Sequence, residues 1–179
     1  MRSRSLLLAL GLACLPLSSL PASPYAGQDS REIKALSPED VDSLLAGKGM
    51  GFAKVAELNG FPGPAHVLEL SEQLRLNPEQ RARTEALFAS MSAKASAAGR
   101  ALVERERELD RLFASRAITP LRLHDSLVEL GRLQSQVRAA HLEAHLAQVQ
   151  ILTPEQNVRY AQLRGYGGAV APGDHRHKH

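Results

Sequence analysis

His141 and His145 stand four residues apart in the run RAAHLEAHLAQ. On an α-helix that spacing puts both imidazoles on one face, a turn apart, where a helix can offer two nitrogen donors to one transition metal. At ~100° per residue, counted from Leu123, His141 returns near ~0° and His145 near ~40°. The pair therefore prolongs the apolar stripe of Leu123, Leu127, Leu130 and Val137. Two readings stay open on spacing alone: a metal site, or two half-buried and hydrogen-bonded rings at the end of a core stripe. The residues between them are Leu142-Glu143-Ala144, so this is not the HExxH signature of zinc hydrolases. Glu143 falls at ~200°, on the opposite face, and cannot serve the pair as a general base.

The other histidines are weaker candidates. His66 opens the first helix of the helical region, three residues before Glu69. It becomes a third ligand if that helix folds back beside the pair. His124 lies 17 residues from His141, ~25 Å along a helix, too far to share an ion. The tail alternates His175, His177 and His179 with charged residues, a composition expected to chelate weakly. No P-loop, GxGxxG or GxSxG is present, and few carboxylates fall on apolar faces. An acid–base or nucleophilic enzyme is not expected.

The elements that must position these residues are helical. The chain has no Trp and 4% aromatics, and is rich in Ala, Leu, Arg, Glu and Gln, which are helix formers. Residues 1–22 open with Arg2 and Arg4 and continue with a short apolar run, the pattern of a cleaved export signal. A lipid anchor on Cys14 is the weaker alternative, because Gly11 and Leu12 make a poor lipobox. The 22 basic residues, less Arg2 and Arg4, leave 20 against 19 acidic, so nucleic acid is not an expected partner. With Cys14 removed no cysteine remains, which excludes disulfides and thiolate metal sites. Periplasmic localisation follows.

Residues 23–64 read as an irregular lead-in with one short helix from Pro38 to about Ala46, ended by Gly47. Residues 65–165 read as the helical domain, and 166–179 as a disordered, His-rich tail. The stretches LSPED, LNPEQ and LTPEQ are helix starts. Ser37, Asn77 or Thr153 caps, proline follows where its missing N–H costs nothing, and the residue three after the cap reaches back. The spacing predicts a short helix over 65–75, a long one from 77 to about 115, and another from Pro120 to about Gln150. Thr153 starts a last short one. The first long helix carries a seam through Leu87, Met91, Ala95, Ala98, Leu102, Leu109 and Phe113. The run Glu104-Arg105-Glu106-Arg107-Glu108 reads as a solvated face. The expected architecture is all-α, a long antiparallel hairpin with short flanking helices.

Two L-[TN]-P-E-Q helix starts 76 residues apart, in an exported, cysteine-poor helical chain, resemble the Spy/CpxP family and the related periplasmic heavy-metal-resistance proteins of the ZraP and CnrX type. The motifs are Leu76-Asn77-Pro78-Glu79-Gln80 and Leu152-Thr153-Pro154-Glu155-Gln156, and the resemblance covers about 65–165. Asn77 departs from the usual LTxxQ pattern but still caps. The resemblance implies a hairpin that dimerises into a curved cradle. It implies one of two activities: binding of a divalent transition metal (nickel, cobalt or zinc, to which histidine and carboxylate donors without thiolate add copper(II)), or ATP-independent holding of unfolded clients. It places His141 and His145 at the metal ligands of the sensors, with His66 and Glu69 as counterparts of the earlier ligands, and implies a membrane-bound sensor or regulator as a further partner.

The second long helix also carries a second stripe, Val128, Leu142, Leu146 and Val149. One partner helix covers a stripe of only ~100°, so a homodimer whose interface includes Leu142 and Leu146 is expected.

Overall fold

Residues 23–166 are described by a computed structural model. Residues 1–22, read from the sequence as an export signal and containing Cys14, and the tail with His175, His177 and His179, lie outside the described residues. Residues 23–30 belong to a first unit ending at Ser30 and form successive turns. From Arg31 a second unit holds all the helices of the described residues: α1 Pro38–Leu45, α2 Lys54–Glu57, α3 Pro64–Glu69, α4 Pro78–Ala114, α5 Pro120–Val149 and α6 Pro154–Leu163. Among the described residues there is no strand. The expected all-α hairpin is found.

The helix starts follow from their local chemistry. Ser37, Asn77 and Thr153 each accept from the amide three residues on, and Asp40, Gln80 and Gln156 each return a bond to the cap's own amide. Thr119 caps α5 by accepting from the Arg122 amide. All four of these helices carry proline in the first turn, as does α3. The two long starts do more than cap. Gln80 Nε2 donates to Gln156 Oε1 at 2.8 Å, and Gln156 Nε2 returns a bond to Gln80 Oε1 at 3.1 Å. The same amide groups donate to the Ile151 and Leu74 carbonyls. A glutamine is needed because each side chain both donates and accepts; a glutamate could only accept.

α4 and α5 form the antiparallel arms, ~55 Å and ~45 Å long. Their middle buries Leu102, Val103, Leu130, Leu133 and Val137 against Ile33 and Leu44 of the lead-in. At the open end Val67, Leu74, Leu152 and Tyr160 form a second cluster. The lead-in is bound along the hairpin. Lys34 pairs with Asp110 at 3.1 Å and Glu32 with Arg107 at 2.8 Å. α1 lies so close to α4 that a Cβ on Gly99 would stand 2.1 Å from the Leu44 carbonyl oxygen. Gly47 ends α1 with φ +65, a left-handed value that glycine adopts without strain.

Three expectations are corrected. The lead-in has a second helix, α2, which is four residues long, has no side-chain cap and is hidden among glycines. The helix expected over 65–75 ends at Glu69, and its last part becomes turns around Arg75, whose φ is +53. Leu127 and Phe113 are not in the seam: each is 54% exposed. Near the tip α4 and α5 have no third element over them, and the inward position goes to the small Ser126, which accepts from Arg105.

Candidate metal centre

The helical register of α5 brings His141 and His145 into the interior, 3% and 7% exposed. Both rings meet the lead-in. His145 Nδ1 lies 2.7 Å from the Phe61 carbonyl oxygen. A carbonyl only accepts, so this nitrogen carries a proton and Nε2 is the free one when the ring is neutral. Fixing one ring nitrogen by a carbonyl is also how proteins orient metal-binding histidines. Beside Nε2 lies Gly63, where a Cβ would stand only 3.0 Å away.

His141 Nε2 is buried and has no hydrogen-bond partner. Burial and then the neighbouring His145 hold its pKa below the ordinary value, against a hydrogen bond with the Lys48 backbone that acts the other way. His141 is therefore held towards its neutral form, the form that coordinates.

The acidic group at the site is Glu57, on α2. One oxygen, Oε1, accepts from the Tyr160 hydroxyl at 2.5 Å and the Tyr166 hydroxyl at 2.9 Å. Arg164 Nε lies 3.4 Å and His66 Nδ1 3.6 Å from that oxygen. The other, Oε2, is buried without a hydrogen-bond partner, 3.7 Å from His145 Nδ1. Burial first, and Glu57 second, push the Tyr160 phenol far above its usual pKa, so it stays a donor. α3 does fold back: His66, its side chain 39% exposed, meets the outer side of Glu57 and comes within 3.5 Å of the Tyr160 hydroxyl. Glu69 on the same helix is exposed.

The sequence therefore locates His141, His145 and His66 in one region of the fold and misses Glu57, Tyr160, Tyr166 and Arg164. The donor types suit a borderline divalent ion. Their placement does not: among the described residues no three of His, Cys, Asp and Glu are arranged to hold a metal ion.

The family model for heavy-metal resistance matches residues 53–159, from α2 into α6. The chain belongs to the heavy-metal resistance family. No curated protein matches it, and no solved structure does. The match to the heavy-metal resistance family takes in both long helices, His66, Glu57 and the histidine pair, but ends before Tyr160, Arg164 and Tyr166.

Proposed function

We propose that this is a non-enzymatic periplasmic heavy-metal-resistance protein that takes a divalent transition metal, as sensor or scavenger, through His141 and His145. The observation that supports this reading is the buried histidine pair with His141 Nε2 unpartnered, and the unpartnered Glu57 Oε2 lying 3.7 Å from the His145 ring, in a chain of the heavy-metal resistance family. Nitrogen and carboxylate donors without thiolate suit zinc, nickel, cobalt or copper(II). Glu57 takes the role that the resemblance gave to Glu69, and His66 stands on its outer side.

Calorimetric titration, metal by metal, tests it. Binding should vanish in the His141→Ala, His145→Ala double variant and weaken in Glu57→Gln. Binding unchanged in the double variant would sink the pair as the site. Performing the titrations with and without residues 167–179 separates any contribution of the tail histidines.

The second reading is an ATP-independent holdase of the Spy type, as the resemblance implied. What favours it is the exposure of the apolar residues Phe113, Leu121, Leu127 and Val128 towards the hairpin tip, each more than half exposed, apolar surface of the kind that unfolded segments bind. Suppression of client aggregation that persists in the histidine double variant but fails in Leu127→Glu, Val128→Glu would favour this reading.

A further inference from the structure

We infer that the hairpin tip, residues 111–124, is a contact for an anionic phospholipid surface, which takes up its apolar side chains while its arginines meet the headgroups. The stretch reads RLFASRAITPLRLH, with three arginines, one histidine and no Asp or Glu, in a chain that has 19 acidic residues. Along the arms the arginines meet carboxylates: Arg105 pairs with Glu108, Arg132 with Glu129, and Arg107 with Glu32 and Glu104. At the tip they do not. Among the described residues no carboxylate lies within ion-pair distance of Arg111, Arg116 or Arg122. The acids that flank the stretch are Asp110, which is taken by Lys34, and Asp125. The charge of the tip is left for a partner of one sign.

Between these charges stand Phe113 and Leu121, 54% and 70% exposed, with Leu112 and Ile118 half-buried beside them. Apolar side chains among cations are what an interfacial membrane contact uses: the apolar groups sink ~5–10 Å and the basic ones stay with the headgroups. A peptide group that leaves water for lipid must keep a hydrogen bond. The turn meets that condition. The amides of Ser115, Arg116 and Ala117 donate to the Arg111, Phe113 and Leu112 carbonyls, and the Ala117 carbonyl accepts from Arg122 Nη1 at 2.9 Å. No described helix is long and apolar enough to cross a membrane, so the contact is interfacial. An unfolded polypeptide would also find Phe113 and Leu121. It gives no reason for a stretch free of acids, whereas a surface of uniform negative charge does. The tip lies ~30 Å along α5 from His141, so the contact stands or falls apart from the histidine pair.

The chain has no tryptophan, so Leu121→Trp in the full chain reports from the tip alone. The probes are vesicles of phosphatidylcholine, and of phosphatidylcholine mixed equally with phosphatidylglycerol. The mixed vesicles should shift the emission to the blue, and brominated lipid in them should quench it. That quenching is short-ranged, so contact made elsewhere in the chain does not register. Each arginine near an anionic surface contributes roughly fivefold in affinity, so adding Arg111→Gln, Arg116→Gln and Arg122→Gln should weaken the response roughly a hundredfold. Phe113→Trp repeats the readout from the α4 side should Leu121→Trp disturb the turn. Emission unchanged on mixed vesicles overturns the contact. An equal response on phosphatidylcholine alone, or one that survives the triple substitution, overturns the anionic surface as its partner. A response to a denatured client protein with none to vesicles overturns it in favour of the holdase reading.

Discussion

Tyr160→Phe deletes one hydroxyl, and the oxygen it leaves behind belongs to a carboxylate that is 9% exposed. A hydrogen bond to a charged group is worth about 1.5–3 kcal/mol. Chemical denaturation should show a loss of that size, with the slope unchanged. His141 gives a pH signature. The folded chain holds this proton more weakly than the unfolded ring, whose pKa is about 6.5. Above that value both states are neutral and the contribution is fully present. From about 6.5 down through the lower folded value the unfolded chain binds more protons, so stability falls as pH falls. The denaturation midpoint should drop across that window in the unsubstituted protein and drop less in His141→Gln. At this scale the sequence shows which residues share a helix face, because 3.6-residue periodicity is strict. It does not show Glu57, since a four-residue helix offers no period to read, nor the two tyrosines that meet it from beyond the last long helix.

Gly99→Ala sets two elements in opposition. Replacing glycine in a helix interior should gain about 1 kcal/mol. The added methyl would stand 2.1 Å from the Leu44 carbonyl oxygen, which is backbone and cannot turn aside. Overpacking of that kind costs about 1–3 kcal/mol, so a lower melting temperature is expected, and higher exchange in α1 should accompany it. A rise in melting temperature would show that α1 reseats freely. Gln80→Glu tests the open end. It removes the donors to Gln156 Oε1 and the Ile151 carbonyl while keeping the shape. A loss of about 2 kcal/mol is expected, since the half-buried Ile151 carbonyl loses its donor and Gln156 Oε1 keeps only the Thr153 amide. Capping was readable in the sequence because it is local: Asn77, Thr153 and their glutamines lie within one turn. That the two glutamines grip each other was not, because nothing local reports on a residue 76 positions away.

For the whole molecule, the seam of α5 was only partly readable. Leu130 and Val137 are buried as their period implies, but Leu127 is not, since burial depends on where the flanking helices stop. The second stripe remains largely uncovered within the chain: Val128 and Leu146 are 59% and 56% exposed, and Leu142 and Val149 half-buried. A homodimer through this face is expected by light scattering at micromolar concentration, with Leu142→Glu, Leu146→Glu giving a monomer. A monomer mass already in the unsubstituted protein would refute it. The glutamine clasp has a consequence in time. A hairpin can zip from its short turn at residues 115–119 towards its open end with contacts of low sequence separation, whereas the clasp joins helix starts that meet only when both arms are complete. An interaction formed after the rate-limiting step acts on escape from the native state alone. In stopped-flow experiments Gln80→Glu should leave the refolding rate where it was and make unfolding roughly thirtyfold faster for about 2 kcal/mol, so that the doubled motif sets how long the folded protein lasts.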